Sequence, residues 1–175
     1  MIPNHIYVGP LSAVVSTVEA SRIGHLVTLI NSDSMIDTPA GIAAGRHLRL
    51  AMNDITEALP GMVPPGESHV AELIEFATGW DRKTPMLIHC WAGISRSTAA
   101  AFVTLCALNP QAEEHRIAQA IRAASPTATP NARIVKLADA ALGRGGRMTD
   151  AVMAIGPGAP VMEARVFSLP SRFTD

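Results

Sequence analysis

The sequence predicts an α/β fold in which a central, mostly parallel sheet is flanked by helices on both faces. Short apolar runs that suit buried strands alternate with stretches of helical period in the first part of the chain. Patterns with helical period then fill most of the remaining sequence. With 48% hydrophobic and 17% charged residues, the 175-residue chain has the composition of one soluble globular domain with a single core.

The first part of the chain supplies three predicted strands and one helix. Residues 6–8, closed by a Gly-Pro pair, indicate a short strand, and residues 12–21 indicate a helix. Residues 25–30 and 47–51 indicate two further strands. Between these two strands, residues 31–45 are rich in turn formers. They form either a substrate-selecting loop or a solvated connector.

The second part of the chain supplies one more strand and several helices. An amphipathic helix is predicted for residues 67–79, and a buried strand for residues 86–88. Residues 97–108 are apolar nearly all round, which favours a buried helix. Asn109-Pro110-Gln111 predicts the start of another helix, with proline at its first position, and residues 132–142 predict one more.

One stretch between a predicted strand and a predicted helix carries the candidate chemistry. A tight loop at this place turns successive backbone N–H groups inward and ends on a helix N-terminus, which predicts a concave nest for a tetrahedral oxyanion. The predicted phosphate-binding residues are Trp91, Ala92, Gly93, Ile94, Ser95 and Arg96.

The residue types in this loop suit both binding and attack. The N–H dipoles, the helix N-terminus and the Arg96 guanidinium all favour a thiolate on Cys90. Arg96 can hold two phosphate oxygens at once, and the Ser97 hydroxyl can donate to the thiolate when it leaves. His89 is placed to support loop carbonyls rather than to react. A structural buried cysteine with a surface arginine six residues later can occur by chance. Here Gly93, Ser97, the preceding strand and the following helix all fit a phosphate-binding loop instead.

The pattern His89-Cys90-x-x-Gly93-x-x-Arg96-Ser97 resembles the signature loop of the cysteine-dependent protein tyrosine phosphatases. The length of the chain resembles their small dual-specificity branch, and the resemblance covers about residues 4–142. It implies a phosphocysteine intermediate on Cys90, phosphate held by the loop and Arg96, and an aspartic acid from a separate loop. We expect a phosphatase domain over residues 1–145 and an extension of unknown role over residues 146–175, packed on the same domain.

Asp54 is the predicted general acid and base. It follows the predicted strand at 47–51 and precedes Cys90 by 36 positions, close to the spacing that the resemblance implies. The segment after it is rich in proline and glycine, as a mobile flap would be. Alternatively, Asp54 only caps or turns the chain. Glu57 is the reserve acid, and Asp81 is a weaker one.

The pair Pro130-Asn131 matches a pair that opens a helix beside the signature loop in this family. Here Arg133 and Ile134 follow, where the family more often has an aromatic residue. Asn131 is therefore expected either to support the loop and the hydrolytic water or simply to cap the helix.

Composition and spacing also exclude several classes of protein. Six histidines show no metal-ligand spacing, so we expect neither a metal nor another cofactor. The net charge of −1, without a basic block, predicts no nucleic-acid or membrane partner. Cys106 is assigned to core packing, and residues 1–8 lack the pattern of a signal peptide. We therefore expect a cytoplasmic protein, and the sequence leaves its oligomeric state open.

The functional hypothesis is a phosphomonoester hydrolase of the protein-tyrosine-phosphatase type, acting on a phosphorylated protein or a small phosphomonoester. Phosphotyrosine is favoured, because Trp91 can form an apolar lip for an aryl ring. Three alternatives stay open: a phosphate-binding pseudophosphatase or adaptor, a phosphoinositide or inositol phosphate phosphatase, and a rhodanese-like sulfurtransferase. The absence of lysine in the loop argues against multiply phosphorylated substrates.

Overall fold

A computed structural model describes residues 4–174, so residues 1–3 of the segment 1–8 considered above lie outside the described part. The strands are β1 (His5–Pro10), β2 (His25–Ile30), β3 (His47–Ala51), β4 (Met86–Cys90) and β5 (Phe167–Pro170). The helices are α1 (Val14–Ala20), α2 (Glu67–Thr78), α3 (Arg96–Leu108), α4 (Glu114–Ala124), α5 (Ala132–Ala141) and α6 (Arg147–Ile155).

The strands form one sheet in the order β3-β2-β4-β1-β5. The first four strands are mutually parallel, and β5 pairs antiparallel with β1 at the edge. β4 therefore lies in the middle of the sheet, hydrogen-bonded to β1 on one side and β2 on the other. Because the chain leaves the parallel strands at one edge, the segments after β1, β3 and β4 meet there.

Alternate side chains of the strands enter two separate cores, as the period of a buried strand requires. Leu26 and Leu87 pack against α1 on one face, in a small cluster with Val14 and Val18. The opposite side chains join a larger core beneath the other helices, with Phe102 of α3 as its largest fully buried member. The predicted α/β fold, with helices on both faces of a mostly parallel sheet, is confirmed.

The predicted start of α4 is wrong. The helix begins at Glu114, and the Asn109-Pro110 pair lies in the preceding turn. The Asn109 side chain donates to the carbonyls of Leu105 and Ser171 and accepts from the N–H of Phe173. Two of these contacts are with residues just after β5, far away in sequence, and they fix Asn109 in the turn.

The part of the chain after residue 145 lies against the body of the fold. Helix α6 packs on α4 and α5, and β5 extends the sheet beside β1. Residues 157–166, which we call the C-terminal segment, run between them past the carboxyl edge of β4, where the N–H of Ala164 donates to Ala92. Within residues 4–174 no helix has the length and apolar character needed to cross a membrane.

Candidate active site

The signature loop (residues 90–96) joins the middle strand of the sheet to the most buried helix. Cys90 ends β4, where it pairs with Pro10 of β1, and Arg96 begins α3. Gly93 has a φ of +71°, and a Cβ atom there would lie 2.8 Å from backbone atoms of Gly9 and Pro10. Only glycine fits this turn, because the loop packs directly on the end of β1.

Four carbonyl groups of the loop point outward and are hydrogen-bonded by three separate parts of the chain. Each accepts a backbone hydrogen bond of 2.9–3.2 Å from a neighbouring segment: Trp91 from Leu11, Ala92 from Ala164, Ile94 from Thr129 and Ser95 from Asn131. The loop is thereby fixed from outside by the start of the α1 unit, the α4–α5 connector and the C-terminal segment.

The N–H groups of the same loop have the opposite arrangement. No backbone N–H of residues 92–96 donates to an acceptor within the described residues. With the carbonyls turned out, these donors face the inside of the loop and sit at the N-terminus of α3, where the helix dipole favours an anion.

Arg96 adds a charged donor to this group of N–H groups. Its side chain is buried, with 6% exposed, and its Nη1 donates to the carbonyl of Met52 at 2.8 Å. Its Nε is buried without a hydrogen-bond partner, and none of the described residues forms an ion pair with it. A buried guanidinium in this state is costly unless an anion completes its contacts.

The Cys90 sulfur lies close to a hydroxyl. The thiol is hydrogen-bonded to Ser97 Oγ at 3.0 Å, and Ser97 is fully buried in the first turn of α3. If the sulfur is ionised, the same hydroxyl can turn its proton toward it.

Behind the loop, a chain of hydrogen bonds crosses three strands. His89 Nδ1 lies 3.3 Å from the Cys90 carbonyl, and His89 Nε2 lies 2.8 Å from Thr28 Oγ1. Thr28 Oγ1 also bonds His47 Nε2, and His47 Nδ1 bonds Thr38 Oγ1, both at 2.8 Å. Because a carbonyl only accepts, His89 Nδ1 carries the proton. With both rings neutral, every donor in the chain then points from Thr38 toward Cys90.

The pKa values agree with two neutral rings. Burial lowers the pKa of His89 from 6.5 to about 4, and the nearby His47 and Arg96 act in the same direction, against the hydrogen bond to Cys90. Burial, assisted by Arg49, also lowers the pKa of His47 to about 4. His89 thus supports the carbonyl of Cys90, with Thr28 and His47 supporting His89 in turn.

Asp54 lies at the open side of the signature loop. It belongs to the acid loop (residues 52–66), which follows β3. Its Oδ1 accepts hydrogen bonds from Ser95 Oγ at 2.7 Å and from Asn131 Nδ2 at 2.9 Å. Asn131 Oδ1 also accepts from the N–H of Ile134 and so caps α5. Asn131 therefore caps α5 and contacts Asp54 at the same time, while its part in positioning the hydrolytic water stays a prediction.

Sequence reasoning missed the part that Arg133 plays in holding the acid loop. Its Nε donates to the carbonyl of Pro65 at 2.6 Å, and its Nη1 lies 3.5 Å from the carbonyl of Thr56. Asn53 and Val63 close the base of the loop with two further hydrogen bonds. The signal was present, because Arg133 stands where the resembling family more often has an aromatic residue.

None of the other candidate residues makes a hydrogen bond to Cys90, Arg96 or Asp54 within the described residues. Asp81 is at the opposite edge of the sheet, where its carboxylate accepts from the N–H of Lys83 and lies 3.9 Å from Arg46. Glu57 is exposed on the acid loop. Trp91 is 57% exposed at the rim of the signature loop rather than packed behind it.

Comparisons with known proteins agree with this fold and loop. Residues 59–127, which contain the signature loop, match the family model described as protein-tyrosine phosphatase. A crystal structure of DUSP15 is 20% identical and covers 86% of this chain and 89% of its own, with a TM-score of 0.61. No curated protein sequence gives a significant match.

Two further solved structures share the fold. The human tyrosine phosphatase-like serine/threonine/tyrosine-interacting protein is 18% identical, with 80% of this chain and 92% of that chain covered and a TM-score of 0.64. PTPMT1, solved in complex with PI(5)P, is 15% identical, with 86% and 91% covered and a TM-score of 0.59.

The chain therefore shares the fold of solved dual-specificity phosphatases, as the resemblance in the sequence implied. The part of the chain that matches the protein-tyrosine phosphatase model contains the signature loop.

Proposed function

We propose that the chain hydrolyses phosphate monoesters through a phosphocysteine on Cys90, with Asp54 as general acid and then general base. The main support for this proposal is the buried Arg96 guanidinium, whose Nε has no hydrogen-bond partner. It lies beside a loop whose backbone N–H groups donate to no acceptor within the described residues. A dianionic phosphate is the ligand that such a set of donors fits.

In the first displacement, the Cys90 thiolate attacks phosphorus and the bond from phosphorus to the ester oxygen breaks. Asp54 gives its proton to the departing oxygen. Since Asp54 Oδ1 already accepts two hydrogen bonds, the proton is carried on Oδ2. The N–H groups and Arg96 neutralise the equatorial oxygens, so the scheme needs no metal ion or cofactor.

In the second displacement, water attacks the phosphorus of the phosphocysteine and passes a proton to the Asp54 carboxylate. The bond from sulfur to phosphorus breaks, inorganic phosphate is released and Cys90 leaves as a thiolate. The Ser97 hydroxyl, 3.0 Å from the sulfur, donates to it at this step. Asn131 and Ser95 keep the Asp54 carboxylate beside the loop in both steps.

Phosphotyrosine is the substrate that we place first, because the exposed Trp91 at the rim offers an apolar surface to an aryl ring. The proposed place of action is the cytoplasm. A phosphoinositide substrate is the main alternative, since one protein of similar fold was solved with PI(5)P. A phosphate-binding adaptor is the second, since another is described as phosphatase-like. The match to a phosphatase family gives a rhodanese-like sulfurtransferase no support.

The test is hydrolysis of p-nitrophenyl phosphate by the whole chain. We expect Cys90→Ser to lower turnover by roughly 10⁴-fold or more while it still binds inorganic phosphate. The matched control is Cys106→Ser, which should keep turnover. Asp54→Asn should slow alkyl phosphates by about 100-fold and activated aryl phosphates much less, because only poor leaving groups need the proton.

Three outcomes would redirect the proposal. Phosphate binding without turnover would favour an adaptor. Sulfur transfer from thiosulfate to cyanide would favour a rhodanese-like reaction. Equal effects of Asp54→Asn on both classes of ester would assign the proton to another residue, with Glu57 the next to test.

A further inference from the structure

The exposed apolar side chains of the chain are concentrated around the signature loop. Eight large hydrophobic side chains are exposed within residues 4–174, and six of them lie on three segments at this site. They are Leu59, Met62 and Val63 on the acid loop, Trp91 on the signature loop, and Val161 and Met162 on the C-terminal segment. Met162 is 94% exposed, so packing within the fold does not explain it.

These apolar residues stand on two sides of the phosphate nest. The acid loop reaches the signature loop at Ser95, which bonds Asp54. The C-terminal segment reaches it at the other end, where the N–H of Ala164 donates to Ala92. We call Leu59, Met62 and Val63 the acid-loop wall, and Val161 and Met162 the C-terminal wall. A phosphate bound in the signature loop would have one of these apolar walls on either side of it.

A cavity of about 350 Å³ opens beside the C-terminal wall. It lies between the C-terminal segment and the α4–α5 connector. Its lining combines apolar residues, among them Pro126, Val161 and Phe167, with the charged Glu163 and Arg165. A cavity of this size can take a single large apolar side chain, whereas the flat surface of a bilayer would leave it unfilled.

Cationic side chains are scarce on the same three segments. Residues 52–66, 90–96 and 157–166 contain the acids Asp54, Glu57 and Glu163, and Arg165 is their one cation besides Arg96, which faces the phosphate site. Arg133 lies beside the acid loop, but it already donates to backbone carbonyls there. With Arg96 and Arg133 both engaged, Arg165 is the one cation of these segments that could meet an acidic neighbour of the phosphorylated residue.

The cations are instead grouped at the opposite, amino edge of the parallel strands. Arg22, Arg82, Lys83 and Arg172 line a cavity of about 810 Å³ there, with Asp81 as the single acid in its lining. An acidic peptide or an anionic membrane would therefore meet more favourable charge at that edge than at the catalytic one.

We propose that the catalytic site binds a phosphorylated peptide segment whose neighbours on both sides of the phosphorylated residue are apolar, and that it discriminates against acidic neighbours. This inference rests on the proposed function, because the phosphate must seat in the signature loop. An extended peptide crossing that loop would lay one flank on the acid-loop wall and the other against the C-terminal wall and its cavity.

The test measures affinity in a Cys90→Ser background, so that binding is separated from turnover. Fluorescent phosphotyrosine peptides of equal length carry either leucine and valine flanks or glutamate flanks. We expect the apolar peptide to bind about tenfold tighter. Met162→Asp should remove most of that preference. Met153→Asp, which changes an exposed methionine on α6 far from the loop, is the matched control and should leave it unchanged.

Equal affinity for the two peptides would overturn the inference, and so would equal effects of Met162→Asp and Met153→Asp. Tighter binding to phosphatidylcholine vesicles carrying a phosphoinositide monophosphate would overturn it in favour of a membrane substrate. Failure of the proposed function is a separate result: wild-type chain that does not hydrolyse p-nitrophenyl phosphate would refute catalysis, while the peptide affinities would still decide the inference.

Discussion

The two ends of helix α3 carry similar residue types and have opposite character. At its N-terminus, Cys90 is followed by Arg96 and Ser97 in a loop with unused donors. Near its C-terminus, Cys106 is fully buried, and its carbonyl accepts from Arg144 Nη2 at 2.6 Å. Arg144 Nη1 is bonded to Glu114 at 2.8 Å.

The difference lies in which groups the protein leaves without partners. Burial raises the pKa of Cys106 to about 12, against the attraction of Arg144, and the carboxylates of Glu114 and Asp139 add to the rise. The Arg144 guanidinium is already satisfied by protein acceptors, whereas Arg96 keeps a free Nε. A cysteine and an arginine therefore define a reactive site only where the fold supplies donors and withholds acceptors.

The strongest test of this difference between Arg96 and Arg144 is the substitution Arg96→Lys. Lysine keeps the positive charge but loses the planar set of donors, so kcat/KM for p-nitrophenyl phosphate should fall by about a hundredfold or more. The free energy of unfolding should change little, because no carboxylate in the described residues depends on this guanidinium. A variant with nearly full activity would show that charge alone holds the phosphate.

Arg144→Met should have the reverse effect at the other end of the helix. It leaves the buried Glu114 carboxylate without its main partner, so the free energy of unfolding should fall by about 3 kcal/mol in urea titrations. The folded variant should keep its kcat. The matched control is Arg147→Met, since Arg147 shares the same carboxylate at 3.2 Å but is 59% exposed. This control should cost less than about 1 kcal/mol, and equal losses would refute the assignment.

A pH titration sharpens the comparison further. His89 is fully buried with its pKa lowered from 6.5 to about 4, so its contribution to stability is complete above pH 6.5 and is lost as the pH falls toward 4. His89→Asn should reduce the slope of unfolding free energy against pH by about 1 kcal/mol per unit between pH 6 and 4.5. An unchanged slope would mean that the ring is not held neutral by the fold.

Glu114 should respond in a lower pH window. Burial opposes its ionisation, but hydrogen bonds from its own backbone N–H, Arg144 and Arg147 outweigh burial and lower its pKa below 4.5. Its contribution is therefore present above pH 4.5 and is lost only as the pH falls through the lowered value. Glu114 should therefore add little to the pH dependence of stability between pH 6 and 4.5 in wild type, and urea titrations should show its contribution being lost only below pH 4.5.

The sequence predicted the sheet well because strand signals are local. The predicted bounds of β2 and β3 agree with the structure, since a short run of apolar residues is enough to define a buried strand. The start of α4 could not be predicted in this way. Its position depends on Asn109, whose side chain bonds Ser171 and Phe173 at the far end of the chain.

In the candidate site, too, residues that lie together in sequence were predictable and residues brought together by the fold were not. The signature loop was visible because its residues are contiguous, and Asp54 because its spacing from Cys90 is characteristic. Their catalytic roles stay predictions, although Ser95 and Asn131 do contact Asp54. Thr28 and His47 were invisible, since each is an ordinary strand residue until parallel pairing brings it beside His89.

The outward carbonyls of the signature loop have a consequence for anyone who wishes to reuse it. Four carbonyls are hydrogen-bonded by three different stretches of backbone, and one of these stretches contains Ala164, near the other end of the chain. A synthetic peptide copy of the loop would have none of these hydrogen bonds and would adopt other conformations. Grafting this loop onto another scaffold would therefore require all three stretches of backbone to be rebuilt along with it.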